Sequence, residues 1–202
     1  MSEMTDLGTQ MRGGKRQRLV EGARELIHEQ GVQRTTLADV AERADVPLGN
    51  VYYYFKTKDA LAEAMIERWR EEMQAARAAW DAAGGPVERL EACIDVATQG
   101  REAVARSGSP IGGLCTELGK IDGPLAGKAR VLVREQLDWI EAQLHALGAG
   151  VEAQALAIHL LSGLQGASVL AHAQGDPALV VYEAEMLKAW VRRLPHLLRA
   201  QA

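Results

Sequence analysis

Along this chain apolar residues recur at intervals of three and four, and nowhere do they alternate with polar ones over the length of a strand. That regularity commits the backbone to helices, each obliged to bury one stripe against another, so the expected fold is all-α. Glycine and proline punctuate the pattern at Gly31, at Gly84 to Pro86, at Gly108 with Pro110, at Gly123 with Pro124, at Gly148 with Gly150, and at Gly175 to Pro177. The intervals predict about nine helices, near 12–31, 37–44, 47–55, 57–82, 86–106, 112–120, 124–147, 151–174 and 176–198. The first eleven residues lack periodicity and are expected to form a disordered arm. With 202 residues, 48% of them hydrophobic, the chain can bury a substantial core. No apolar run of roughly 20 residues and no signal-peptide apolar region stands out, so a cytoplasmic location with no membrane partner is expected.

Charge is distributed unevenly. Residues 12–58 hold nine Lys/Arg against six Asp/Glu, a net +3, whereas the rest of the chain carries −7. The basic part is therefore the part suited to a polyanion. Cys93 and Cys115 have no CxxC or Cys/His spacing around them, which predicts free thiols with neither a disulfide nor a metal site. No Ser/His/Asp arrangement, HExxH, phosphate-binding glycine loop or paired-carboxylate site is present, so no enzyme, no catalytic residue and no cofactor are expected; Glu67, Glu71 and Glu72 fit solvated charges on a long helix.

The richest stretch is TTLADVAERADVPLGNVYYYFKTKDAL, Thr35 to Leu61. Leu37, Val40, Ala41, Val46, Val51 and Phe55 can close a small core between two short helices and the first, with Ala41 allowing close approach. Only Asp45 and Val46 separate those short helices, the spacing of a helix-turn-helix. Thr36 can cap the first, with Asp39 completing a capping box. Asp45 tolerates the left-handed backbone such a turn needs, and Pro47 suits the start of the second helix. The second helix then presents Leu48, Gly49, Asn50, Tyr52, Tyr53 and Tyr54. Tyrosines offer hydroxyls to phosphate, Asn50 can contact a base edge, and Gly49 permits close backbone approach. Lys58 adds charge at the start of the next helix. Tyr52 suits either DNA or packing on the first helix, and Arg12, Lys15 and Arg16 suit either a minor groove or a solvated arm.

These residues resemble the TetR family, the tetracycline-repressor-like regulators: a basic first helix, Thr36 before Leu-Ala-Asp-Val-Ala, Gly49 in the second short helix, the Tyr52 to Phe55 run, and Lys58 followed by Leu61. The resemblance implies three parts: a disordered arm over 1–11, a helix-turn-helix DNA-binding domain over 12–58, and a helical effector-binding and dimerisation domain over 59–202. It implies phosphate contacts from Thr36, Tyr52, Tyr54 and Lys58, and base readers among Leu48, Asn50 and Tyr53. Asp45, where glycine is common, and Pro47, where serine or alanine is common, depart from the pattern; Pro47 removes a possible hydroxyl contact to phosphate.

Beyond the motif, the last two helices carry more apolar surface than one interior face needs. Together with the resemblance this implies an isologous homodimer through Leu156, His159, Leu160, Gly163, Leu164, Ala167, Leu179, Tyr182, Met186 and Trp190. A small-molecule effector is expected among Cys93, Leu114, Cys115, Leu118, Leu132, Gln136, Trp139 and Ile140, residues that equally suit an ordinary helical core. The expected function is a ligand-responsive repressor that binds a palindromic, double-stranded operator as a dimer and is released by its effector. The alternative is a thiol-based redox or electrophile sensor using Cys115, which lies in PIGGLCTELGK near Lys120.

Overall fold

A computed structural model of the chain describes the backbone of residues 3–121 and 123–201, and side chains over 14–121 and 123–199. Its elements are α1 (Glu3–Gln30), α2 (Leu37–Arg43), α3 (Leu48–Tyr54), α4 (Lys58–Asp81), α5 (Pro86–Gln99), α6 (Arg101–Ser107), α7 (Pro110–Ile121), α8 (Pro124–Ala146), a 3₁₀ turn (Gly150–Glu152), α9 (Ala153–Gln174) and α10 (Ala178–Gln201). Among the described residues there is no strand.

Two elements differ from expectation. The predicted helix over 86–106 bends at Gly100, whose N–H still reaches Val96 O at 3.2 Å, so α5 and α6 are one helix with a break rather than a helix and a loop. Glycine lowers the cost of that departure because it has no side chain to clash. At the other end, α1 begins at Glu3, so its backbone is helical through residues expected to form an arm. Periodicity is silent there because no apolar stripe is needed to propagate a helix once it is nucleated.

The chain divides into two compact units, Met1–Arg70 with Gly113–Ala129, and Glu71–Gly112 with Arg130–Ala202. The division does not fall at residue 58 as the sequence suggested. Leu61, Ala62, Met65 and Ile66 of α4 are buried, as are Leu114, Leu118, Ala126 and Ala129 of α7 and α8, all within the first unit. A head of three helices leaves apolar surface that these residues help to cover.

Within the first unit, Leu19, Val20, Ala23, Leu26 and Ile27 of α1 are buried with Val40, Ala41, Val46, Val51 and Phe55. A Cβ at Gly22 would lie 3.3 Å from Arg43 Cγ and 3.4 Å from Ala44 N, so glycine lets α2 lie close on α1. Arg43 then ties the two helices through Glu25 at 3.1 Å and Glu29 at 2.8 Å, and these two carboxylates, Glu29 first, hold its guanidinium pKa above the usual value.

Within the second unit, α10 packs on α5 and α9, and α6 packs on α9. Leu90, Ile94, Ile140, Leu144, Leu160, Leu164, Leu187 and Val191 form its main core. Lys188 crosses from α10 to Asp95 of α5 at 2.8 Å, and that bond, with a second to Glu185, raises the lysine pKa. The stretch Gly150–Gln174 is long and apolar enough by length and composition to cross a membrane. Its apolarity is divided between two faces: Ala157, Leu160, Leu161, Leu164, Ala167 and Ala171 are buried, while Ile158, Val169 and Leu170 are exposed.

Asp45 is the one non-glycine residue with positive φ among the described residues, at φ 50°. The left-handed region costs L-residues about 1–2 kcal/mol, less for Asp than for most. Asp45→Gly should therefore raise the denaturant midpoint, by about 0.5–1 kcal/mol in stability, and Asp45→Val should lower it by about 1–2 kcal/mol. Equal midpoints for the Gly and Val variants, followed by circular dichroism, would show that the turn is not held in this conformation.

Candidate nucleic-acid interface and effector site

The helix-turn-helix is organised from its ends. Thr36 caps α2: Asp39 N–H donates to Thr36 Oγ1 at 3.2 Å, and Thr36 N–H donates to Asp39 Oδ2 at 2.9 Å, closing the predicted capping box. The Thr36 backbone N–H first, and then its hydroxyl, hold the Asp39 carboxyl below its ordinary pKa. A depressed carboxylate stabilises above the unfolded-state pKa and loses that contribution as pH falls through the lower folded value, so this cap is complete at neutral pH and fails only in acid. Pro47 stands at the N-cap of α3 (φ −53°, ψ 135°), one position before the first helical turn, and Asn50 N–H donates to its carbonyl at 2.8 Å.

Val51 and Phe55 turn inward, while Leu48, Gly49, Tyr52 and Tyr53 are exposed and Asn50 and Tyr54 half-buried. Tyr53 is 62% exposed and meets Tyr54 edge-on at 5.0 Å between ring centres. Tyr52, for which packing on the first helix was one expectation, is 50% exposed. A Cβ at Gly49 would meet nothing within 4 Å, so that edge of α3 is open to a partner. Thr36 is exposed as well. Lys58 Nζ donates to Gln33 O at 3.0 Å, which fixes the start of α4 beside the loop before α2 and leaves the ammonium two further donors. Arg16 lies over the Phe55 ring at 5.4 Å; Arg12 lies outside the residues whose side chains are described.

Glu117 of α7 is the residue that local sequence does not disclose. Its carboxylate accepts from Val32 N–H at 2.8 Å and Gln33 N–H at 2.7 Å, and it sits against Gly31, where a Cβ would lie 2.8 Å from Oε2. With φ +88°, Gly31 ends α1 in a conformation that suits glycine. One carboxylate thus holds the loop leading into Thr36 across more than 80 residues of chain. Nothing in the pattern around Glu117 signals this, because the contact is set by tertiary placement.

The expected effector residues are split between the two units. Leu114, Cys115 and Leu118 belong to the first, with both leucines buried and Cys115 Sγ donating to Ala129 O at 3.3 Å. Cys93, Leu132, Gln136, Trp139 and Ile140 belong to the second. Ile140 is part of the main core there. Burial pushes the Cys93 thiol up to about 12, against the opposing influence of Arg77 and a hydrogen bond from Gln136, so it is a neutral group. Trp139 meets Trp80 at 5.0 Å and donates its indole N–H to Asp81 at 3.2 Å.

The expected dimer residues differ among themselves in exposure. Leu160, Leu164 and Ala167 are buried in the second unit itself, and Leu156, Leu179 and Trp190 pack against its core clusters. Gly163 faces α10, since a Cβ there would lie 2.7 Å from Glu183 Oε1. His159 is exposed and stacks edge-on with Trp190 at 5.0 Å. Tyr182 (71%), Met186 (63%) and Leu170 are exposed, as are Ile158, Val169 and Leu197, which the sequence did not single out. Because α9 is apolar nearly all round, its stripe has no phase from which inward and outward residues can be told apart.

Residues 19–65 match the model of the bacterial regulatory proteins of the tetR family. Over 56 residues the chain is 39% identical to the HTH-type transcriptional regulator TtgR of Pseudomonas putida, covering 28% of this chain and 27% of that protein. Over 86 residues it is 38% identical to the HTH-type transcriptional regulator BetI of Burkholderia thailandensis, covering 42% of this chain and 44% of that protein. These alignments span less than half the length of either relative. Among solved structures, a TetR transcriptional regulator from Chloroflexus aurantiacus superposes with a TM-score of 0.80 at 22% identity, over 91% of this chain and 97% of that one, and so shares its fold.

Removing the Glu117 carboxylate leaves two backbone donors without a side-chain acceptor, and the cost falls mainly on buried Val32, since Gln33 is exposed to water. In Glu117→Ala the amides of Val32 and Gln33 should exchange with deuterium at least tenfold faster than in the wild type. Unaltered protection of those two amides would show that the carboxylate does not hold the loop.

Proposed function

We propose that this chain, a member of the TetR family of transcriptional regulators, is a repressor that binds a palindromic operator as a homodimer in the cytoplasm and releases it when a small molecule binds its second unit. The observation that carries the DNA-binding part is the exposed edge of α3. Leu48, Tyr52 and Tyr53 are large, apolar or aromatic, and exposed on a seven-residue helix whose one buried residue is Val51. A merely solvated helix face has no use for them, whereas rings and an amide beside an open glycine suit the floor and walls of a major groove. Thr36 and Lys58, at the starts of α2 and α4, are the phosphate contacts in this account.

The dimer rests on α9 and α10. Ile158, His159, Val169 and Leu170 follow helical spacing along one, and Tyr182, Met186 and Leu197 along the other. Exposed apolar residues recurring along two neighbouring helices mark an interaction surface, and a second copy of the same surface gives a closed, two-fold pair. The effector is assigned to the polar and aromatic group of the second unit, Gln136, Trp139 and Trp80. Trp80 and Lys58 lie on one uninterrupted helix, α4, so displacement at one end can be carried to the other. No residue acts catalytically.

Two substitutions separate the roles of the reading surface. Lys58→Ala should weaken binding to all duplexes and reduce the slope of log affinity against log salt by about one, as loss of one phosphate contact does. Asn50→Ala should relax preference at particular base pairs by about 1–3 kcal/mol, measured on single-substitution operator variants. An unchanged salt slope in the first, or uniform losses in the second, would contradict these assignments. For the pair of helices, Val169→Asp with Met186→Asp should give monomers at low micromolar concentration in sedimentation; a persisting dimer would move the interface elsewhere.

A further inference from the structure

Arg77, near the end of α4, is one of four residues of the second unit, with Arg89, Glu91 and Gln143, that bury a polar side-chain atom without a hydrogen-bond partner among the described residues, and the one that buries two such atoms. Its side chain is only 14% exposed, yet among the described residues its one carboxylate contact is Nη1 to Glu135 Oε2 at 3.4 Å, longer than a strong charge-assisted bond. Nε and Nη2 are buried and have no hydrogen-bond partner among the described residues. A buried cation with unmet donors is costly, and proteins that retain one ordinarily supply an acceptor.

The neighbours do not supply it. Gln136 is engaged with Cys93, whose buried thiol is neutral, and Asp81 accepts the Trp139 indole N–H at 3.2 Å. The orphaned pair is also chemically specific. Nε–H and one Nη2–H point in parallel from the side edge of the guanidinium, the edge that takes both oxygens of a carboxylate at once. Trp80, three residues on from Arg77 along α4, and Trp139, four on from Glu135 along α8, add aromatic surface to the same group of helices.

We propose that Arg77 is the anchor of the effector site and that the effector is a monocarboxylate, its two oxygens on the Nε and Nη2 edge and its apolar part alongside the Trp80 and Trp139 pair. This rests on the assignment of effector binding to the second unit, and it narrows the ligand from small molecules in general to organic acids. A neutral ligand leaves the guanidinium edge unmet, and a cationic one adds repulsion. Binding of the acid should stabilise the folded protein in proportion to its saturation.

The full chain is melted with phenylacetate and hexanoate, each paired with its own primary amide, phenylacetamide and hexanamide. Both acids should raise the melting temperature with dose and quench tryptophan emission, and the amides should not. Arg77→Met should abolish the preference for acid over amide, with at least tenfold weaker acid binding. Arg77→Lys, which keeps the charge and loses the planar fork, should also bind at least tenfold more weakly while retaining wild-type circular dichroism. Equal responses to acid and amide in the wild type overturn the proposal, as does a preference undiminished in either variant. Operator binding by the same preparations keeps the two levels apart: a protein that binds operator and is released by a neutral compound, with no response to the acids, remains a ligand-responsive regulator whose effector is not anchored by Arg77.

Discussion

Helices of seven residues do not persist on their own, because nucleation is costly and only a few internal hydrogen bonds follow it. The surface proposed to meet DNA is built from two of them, α2 and α3. Everything about that surface therefore depends on how their ends are satisfied. Thr36 and Asp39 close one end of α2 on each other, Asp45 turns the chain in the left-handed region at the other, and Phe55 N–H reaches back to Val51 O at 2.8 Å as α3 ends. Glu117 takes the two amides of the preceding loop and Lys58 its carbonyl. With the ends held, Val51 can be wholly buried while Tyr52 and Tyr53 beside it stand in solvent. The exposed edge follows from the caps.

Much of this was legible in the sequence, because capping, turn chemistry and helical period are local. The Thr36 and Asp39 box, the positive φ at Asp45 and the inward set from Val40 to Phe55 follow from residue type and spacing over a few positions. What was not legible depends on distant parts of the chain. Glu117 is one acid among many until its oxygens are placed on Val32 and Gln33. Arg77 reads as a surface charge until its burial and its unmet nitrogens are known. The sequence also does not say which of Leu160 and Ile158 faces inward, since both belong to a helix apolar on most sides. Gly100 showed the reverse limit: its neighbours are periodic enough to hide a bend that the glycine permits.

The second unit combines two features that stability alone does not call for. One is an apolar face left uncovered on α9 and α10, although the same helices already bury a full core on their other side. The other is a mostly buried guanidinium with two donors that have no partner among the described residues. Replacing a buried ion pair by well-packed apolar residues is often neutral or stabilising, so stability alone does not require Arg77 with Glu135, and recognition is the role proposed for Arg77. The uncovered face has the same logic, with association in place of ligand binding. Both make sense in a protein whose second unit pairs reading heads and alters their presentation when a ligand binds. A tenfold loss of operator affinity would need about 1.4 kcal/mol of difference between the ligand's affinities for the two states, with DNA weakening the ligand by the same factor.

In the proposed function, paired reading heads, each built around α3, engage one duplex. Sedimentation of the protein with a selected operator, combined with hydroxyl-radical footprinting of both strands, measures this directly. Two protomers per duplex are expected, with a two-fold symmetric footprint whose half-sites are centred about 34–36 Å apart on one face of the DNA, and with protection lost in a variant lacking the exposed edge, Tyr52→Ala with Tyr53→Ala. One protomer per duplex, an asymmetric footprint, or full protection by that variant would contradict it.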